Sequence, residues 1–234
     1  MKTKLITLVT IFSLFIGLTA KADEETREVP SFSEISIRIP AQVYVEQGEK
    51  QSVELVAKSS TLEEIITEVK GRELIIRFAA KNYVFKSFTP GKIEVYITVP
   101  EINALSLSGS GDLINDGPIV SRILDLTVSG SGDILLDDLK ADRVKASVSG
   151  SGNIKVAGDG VSDDLSINLS GSGNFKGINF ESTDVKVKVV GSGSADVFAV
   201  KNLHVRIAGS GNVTYQGNPL VDQGIAGSGT VKEY

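Results

Sequence analysis

The stretch Leu107-Ser108-Gly109-Ser110-Gly111-Asp112 decides the fold, because its Gly-Ser-Gly core returns at 130, 150, 171, 191, 209 and 227. The intervals are 21, 20, 21, 20, 18 and 18 residues, a period that marks a stacked-repeat architecture. Positions counted from the first glycine of each triplet sharpen the pattern. Two before it stand Leu107, Val128, Val148, Leu169, Val189, Ile207 and Ile225, and four after it stand Leu113, Ile134, Ile154, Phe175, Ala195, Val213 and Val231. The positions four and six before it are also mostly apolar. Every one of these offsets is even, which is the period of a strand with one buried face. Both glycines fall on the same even count. They are therefore expected to face inward at a corner, where a side chain would meet the core and where glycine reaches the backbone angles of a sharp bend. The triplets account for fourteen of the 24 glycines.

Each repeat thus reads as strand, Gly-Ser-Gly corner, strand and polar return, as at residues 137–142 and 158–163. Units this short bury no face alone and must stack in one direction, with parallel pairing. The predicted fold is all-β, a right-handed parallel β-helix (solenoid) of about 18–21 residues per coil over residues 101–234. The hand follows that of parallel crossovers generally. At roughly 4.8 Å per coil, the seven triplets span roughly 29 Å. Residues 23–100 lack the triplet but alternate at Ile35, Ile37 and Ile39, at Val43 and Val45, and at Val53 and Leu55. They read as an N-terminal β-rich cap or irregular first coils, since a solenoid needs an atypical end over its open edge. At the other end the last coil leaves an edge for homo-association, unless Lys232 and Glu233 protect it.

Residues 1–22 read as a signal peptide. Lys2 and Lys4 precede the apolar run from Leu5 to Leu18, and Ala20-Lys21-Ala22 offers a small-x-small cleavage site. No later stretch approaches a membrane span. The expected location is exported: periplasmic, outer-membrane-associated or secreted. With no cysteine, disulfides and thiolate metal sites are excluded. Removing the leader takes three of the 24 Lys and Arg and none of the 29 Asp and Glu, leaving a net charge of −8. That balance argues against nucleic acid as a partner, because neutralising phosphates needs clustered cations.

Gly-Ser-Gly-Asp also resembles phosphate and calcium motifs. A phosphate loop needs Lys and Ser or Thr after the glycines and a helix downstream, and a dinucleotide fingerprint needs glycine where Ile114 stands. No cofactor is expected. The residue after each triplet is Asp112, Asp133, Asn153, Asn174, Ser194, Asn212 or Thr230. With two acidic rungs, this outward row reads as an amide and hydroxyl ladder rather than a cation site, and no metal is assigned. The central serines are sevenfold equivalents, whereas a nucleophile is unique and has a base beside it. His204 is expected to face outward without a catalytic partner. The alternative to a binding module is a polysaccharide-acting β-helix enzyme, a lyase or hydrolase. Its densest candidates are Asp137, Asp138, Asp142, Arg143, Asp163 and Asp164, which polar returns explain equally well, so no catalytic residue is assigned.

The candidate binding residues are the outward hydroxyls Ser110, Ser131, Ser151 and Ser172, with the rungs Asp112, Asp133, Asn153 and Asn174. Such a regular array suits a glycan or an envelope protein, and also suits a merely solvated corner. Tyr83, Phe85 and Phe88 form the densest aromatic cluster, which is a contact patch if exposed and core if covered by the cap.

Phe32-Ser33-Glu34-Ile35-Ser36-Ile37, Val43-Tyr44-Val45-Glu46-Gln47-Gly48 and Val95-Tyr96-Ile97-Thr98-Val99-Pro100 precede the serial SGSG motifs. In order and spacing these stretches resemble the family described as "putative auto-transporter adhesin, head GIN domain". The resemblance covers nearly all of residues 29–234. It implies a β-helix and an exported or envelope location, and it transfers no catalytic or binding residue. No membrane-translocating barrel follows the repeats, so self-transport is not expected. The expected role is a non-catalytic exported module for binding, adhesion or structure at the cell envelope.

Overall fold

The structure is a computed structural model that describes residues 23–79 and 89–234. The signal peptide read at residues 1–22, and Tyr83, Phe85 and Phe88, lie outside the described residues.

Strands β1 (Asp23–Thr26), β2 (Glu34–Arg38), β3 (Gln42–Gln47) and β4 (Ser52–Ala57) lead to one turn of helix, α1 (Ser59–Leu62). Then come β5 (Ile65–Lys70), β6 (Glu73–Phe78), β7 (Glu94–Val99), β8 (Ala104–Gly109) and β9 (Asp112–Asn115). The repeats supply β10 (Ile119–Gly130), β11 (Asp133–Leu136), β12 (Leu139–Gly150), β13 (Asn153–Gly171) and β14 (Asn174–Gly191). The chain finishes with β15 (Ser194–Gly209), β16 (Asn212–Gln216), β17 (Leu220–Gly227) and β18 (Thr230–Glu233).

The triplets stack. Gly109, Gly130, Gly150, Gly171, Gly191, Gly209 and Gly227 are successive partners in one parallel column. The result is a β-solenoid of about six turns. Its inward columns are those of the even-offset pattern: Leu107, Val128, Val148, Leu169, Val189 and Ile207 are all buried, as are Leu113, Ile134, Ile154, Phe175, Ala195 and Val213. Each such side chain contributes about 1.5–3 kcal/mol by leaving water, set against the entropy of ordering the coil. The columns stop being covered at the last coil, where Val221 and Ile225 are 39% and 41% exposed.

The corner differs from the expectation in one respect. The second glycine is inward and buried in the first six triplets and half-buried in the last, whereas the first lies at the rim, half-buried or exposed. The first is required by conformation, with φ between +114° and +132° in all seven copies, and from Gly130 onward also by space, since a Cβ would meet the carbonyl oxygen of the coil beneath. The second is required by space: a Cβ on Gly132 would lie 2.1 Å from the Gly111 carbonyl oxygen and 2.8 Å from Leu107 Cδ2. The main obstacle is thus the backbone of the coil beneath, with the core side chain second. This close approach serves pairing. The Gly109 carbonyl accepts hydrogen bonds from the N–H groups of Ser131 and Gly132 at 2.9 and 3.0 Å. The Gly130, Gly150, Gly171 and Gly209 carbonyls do the same for the coils above them.

The returns are also more regular than loops. Strands β13, β14 and β15 run through them for 19, 18 and 16 residues, with irregular register where the chain bends. Apolar side chains such as Phe180 and Ala199 still point in there, while Asp159 and Asp163 stay in water.

The N-terminal strands are interleaved rather than stacked in chain order. Strand β2 lies between β6 and β8, and β3 between β7 and β9, all parallel. Strand β5 then closes antiparallel on β6 through a turn at Gly71 (φ +65°), β4 lies antiparallel on β7, and β1 on β4. These reversed strands occupy the edge that a further coil would otherwise extend.

Candidate binding surface

Every candidate residue within the described chain lies on the outer wall beside the corner. Ser110, Ser131, Ser151 and Ser172 are exposed, and so are Ser108, Ser129, Ser149 and Ser170 in the adjoining column. That adjoining hydroxyl column ends after Ser170. Its next three members are Val190, Ala208 and Ala226, also exposed.

The rungs that follow the triplets form an intramolecular ladder. Asp112 pairs in register with Asp133, Asp133 with Asn153, and Asn153 with Asn174. The Asn153 Nδ2 and backbone N–H both donate to Asp133 Oδ1 at 2.8 Å, and Asn174 Nδ2 donates to Asn153 Oδ1 at 2.8 Å. Further along, Ser194 N donates to Asn174 Oδ1 and the Thr230 hydroxyl to Asn212 Oδ1. The ladder therefore ties coils together, and the Asp133 carboxylate is held as an acceptor within it. Among the described residues, no group of three or more His, Cys, Asp or Glu is placed to hold a metal ion.

His204 faces outward, and the structure gives it a partner. Its Nδ1 lies 3.2 Å from Asp222 Oδ2, and Arg206 Nη2 donates to the same oxygen at 2.8 Å. The Arg206 hydrogen bond, and then that of His204, hold the Asp222 carboxyl below its usual range, and Asp222 in turn raises Arg206. The repeat would have revealed this pairing, since Asp222 stands one 18-residue period after His204. The acid-rich returns are spread along the outer wall: Asp137 is bonded to Lys155 Nζ at 2.7 Å, and Asp164 lies beside Arg143 in register. An aromatic pair was not singled out in the sequence. Tyr44 and Tyr96 are stacked at 5.0 Å between ring centroids, with Tyr96 40% exposed. Its signal was present, because both tyrosines sit between inward residues (Val43 and Val45, Val95 and Ile97) and so had to face outward.

A match to the family described as "Putative auto-transporter adhesin, head GIN domain" spans residues 31–219. The chain belongs to this family. Among solved structures it is similar to a "putative adhesin" from Bacteroides fragilis, at 21% identity and TM-score 0.83, covering 92% of this chain and 97% of that one. A "putative lipid binding protein" from Parabacteroides distasonis is similar at 23% identity and TM-score 0.76, with 92% and 98% covered. A "putative adhesin" from Parabacteroides merdae follows at 23% and 0.73, with 92% and 97% covered. At these identities the likeness is one of fold. No curated protein matches the chain. Among the described residues, no helix is long and apolar enough to cross a membrane.

Proposed function

We propose that this adhesin-family chain is an exported, non-catalytic module of the cell envelope, which binds or adheres through the outer wall of its solenoid. The observation that carries the reading is the in-register stack itself. It holds Ser110, Ser131, Ser151 and Ser172 in an exposed row, alongside the rungs Asp112, Asp133, Asn153 and Asn174. A rigid wall with hydroxyls at coil spacing meets an extended surface without ordering cost, which suits a glycan or an envelope protein. One structural relative carries the name of a lipid-binding protein, but the stripe here is polar. No observation favours a polysaccharide-acting enzyme.

Two tests address the reading. Cell fractionation of the full chain and of a form lacking residues 1–22 should place only the former outside the cytoplasm. Replacing Ser131, Ser151 and Ser172 together by Ala should abolish capture of the bound glycan or envelope protein with an unchanged melting temperature, and unchanged capture would remove the stripe from the site. Tyr83, Phe85 and Phe88 are a second candidate contact. Changing Phe85 and Phe88 to Ser separates contact (attachment lost, stability kept) from core (stability lost). The C-terminal coil offers a site for homo-association, since β17 pairs with β15 on one side and its apolar residues Leu220, Val221 and Ile225 are exposed. Sedimentation of the protein and of Ile225→Lys compares the two states directly.

A further inference from the structure

On this acidic chain, three neighbouring outward columns of the solenoid carry no carboxylate over four successive coils. In the outward column five residues before the first triplet glycine stand Lys145, Ser166, Lys186 and His204, partnered in that order. In the column three before it stand Ser147, Asn168, Lys188 and Arg206, also partnered in order. The third column continues with Ser149, Ser170, Val190 and Ala208. Acids bound the strip at both ends, with Asp125 one coil before Lys145 and Asp222 one coil after His204, and along one side, where Asp164 and Asp184 stand in the next outward column.

We propose that this face binds a linear acidic glycan, one carrying sulfate or carboxylate groups, lying along the stack across Lys145, Lys186, Lys188 and Arg206. The proposal rests on the reading of the chain as a binding module, and it places the ligand on the strand surface before the corner, beside the serine stripe rather than on it.

Charge is the first support. All four cations are exposed. The three lysines take part in none of the ion pairs of the described residues, unlike Lys70, Lys92 and Lys155, each of which is bonded to an acid. Elsewhere the surface is dominated by acids, so a polyanion is repelled except here. Geometry is the second. Lys188 and Arg206 are direct cross-strand partners, about 4.8 Å apart at the backbone, and the four coils extend roughly 14 Å along the stack. The cations thus form a strip rather than a point, which matches a polymer better than a single small anion. Arg206 is already oriented: it lies over Gly224, where a Cβ would come within 3.2 Å of its Cδ, and donates to the Asp222 carboxylate. Chemistry is the third. Between the cations stand Ser166, Ser147 and Asn168, a set of hydroxyl and amide groups that hydrogen-bond a polyol. None of the three columns contains Phe, Tyr or Trp, the large rings on which a nucleic-acid base stacks.

The test measures binding of the purified protein to dextran sulfate, with uncharged dextran, single-stranded DNA and phosphatidylglycerol vesicles as comparisons. Lys186→Glu with Lys188→Glu should weaken dextran sulfate binding about tenfold or more, and added salt should weaken it in the wild type. The same charge change at Lys176 and Lys201, exposed residues on other parts of the surface, should leave it within about twofold. Asp222→Asn removes the acid that competes for Arg206 and His204 and should tighten binding severalfold. No binding, equal loss in the Lys176 and Lys201 variant, or tighter binding to DNA or vesicles overturns the proposal. Capture of uncharged glycan, unaffected by the lysine changes, overturns it while leaving the binding-module reading intact.

Discussion

At the scale of the residue, the first glycine of a triplet answers to conformation and, above the first coil, also to space, and the two can be measured apart. Gly109 and Gly130 share a left-handed φ, +118° and +125°. A Cβ on Gly109 would meet nothing within 4 Å, whereas on Gly130 it would lie 2.5 Å from the Gly109 carbonyl oxygen. Gly109→Ala should therefore cost the strain alone, about 1–2 kcal/mol. Gly130→Ala should cost about 3 kcal/mol or more, because the coil must also move off its partner. Equal losses in chemical denaturation would show that contact with the coil beneath does not matter. A second pair isolates a hydrogen bond. Ser162 and Ser182 are adjacent and buried; the Ser162 hydroxyl donates to the Asp142 carbonyl at 2.9 Å, and Ser182 Oγ has no partner. Ser162→Ala should destabilise by about 1 kcal/mol, while Ser182→Ala should be neutral or stabilising by a similar amount.

At the scale of the element, the N-terminal antiparallel strands are tied by polar contacts of their own. Glu68 on β5 accepts from Arg77 Nε on β6 at 2.9 Å and from Lys70 Nζ at 3.1 Å. The Arg77 hydrogen bond, then that of Lys70, hold its carboxyl below the ordinary glutamate value. With the folded value depressed, the contribution is complete above the usual carboxylate range and is lost as pH falls through the lowered value. Acidification should loosen the β5–β6 pair in the wild type, and Glu68→Gln should flatten that dependence, read from hydrogen exchange of β5 amides across roughly pH 5 to 2. The pair is partly exposed, so the effect is local and modest. The N-terminal strands and the repeats also differ in what was legible in the sequence. The even-offset columns from Leu107 to Val213 announce their burial because each strand repeats the same one-sided pattern. The insertion of β2 between β6 and β8 left no such trace, since Ile35 and Ile37 alternate alike whichever neighbour they meet. Nor did parity separate the two glycines, because it records the side of a strand and not the sign of φ. The ladder from Asp133 to Asn174 was readable from the period, and so was the His204–Asp222 contact once the 18-residue interval was applied to it. What the site binds was not readable, because a row of serines has one sequence signature whether it faces a ligand or water.

At the scale of the whole molecule, the solenoid is a one-dimensional stack in which each coil rests on its two neighbours. Its ends are unequal. The N-terminal end carries the antiparallel strands β4 and β5, whereas the last coil leaves Leu220 78% exposed and its apolar column open to water. Cooperativity should therefore decline toward the C-terminus. The same substitution placed at two heights tests this. Gly171 and Gly227 have matching roles, with φ of +114° and +132° and a Cβ that would approach the carbonyl oxygen beneath at 2.5 and 2.2 Å. Gly227→Ala can be relieved by fraying β17 and β18 alone, since no described strand pairs beyond them. Gly171→Ala cannot, because β12 and β14 clasp β13 from both sides. In hydrogen exchange, Gly227→Ala should deprotect residues 220–234 and leave β10 to β14 at wild-type rates. Gly171→Ala should raise exchange on both sides of the lesion and lower the melting temperature of the whole stack. If the two variants lost protection over the same residues, the coils would be coupled as one block, and the nearest-neighbour account of this fold would fail.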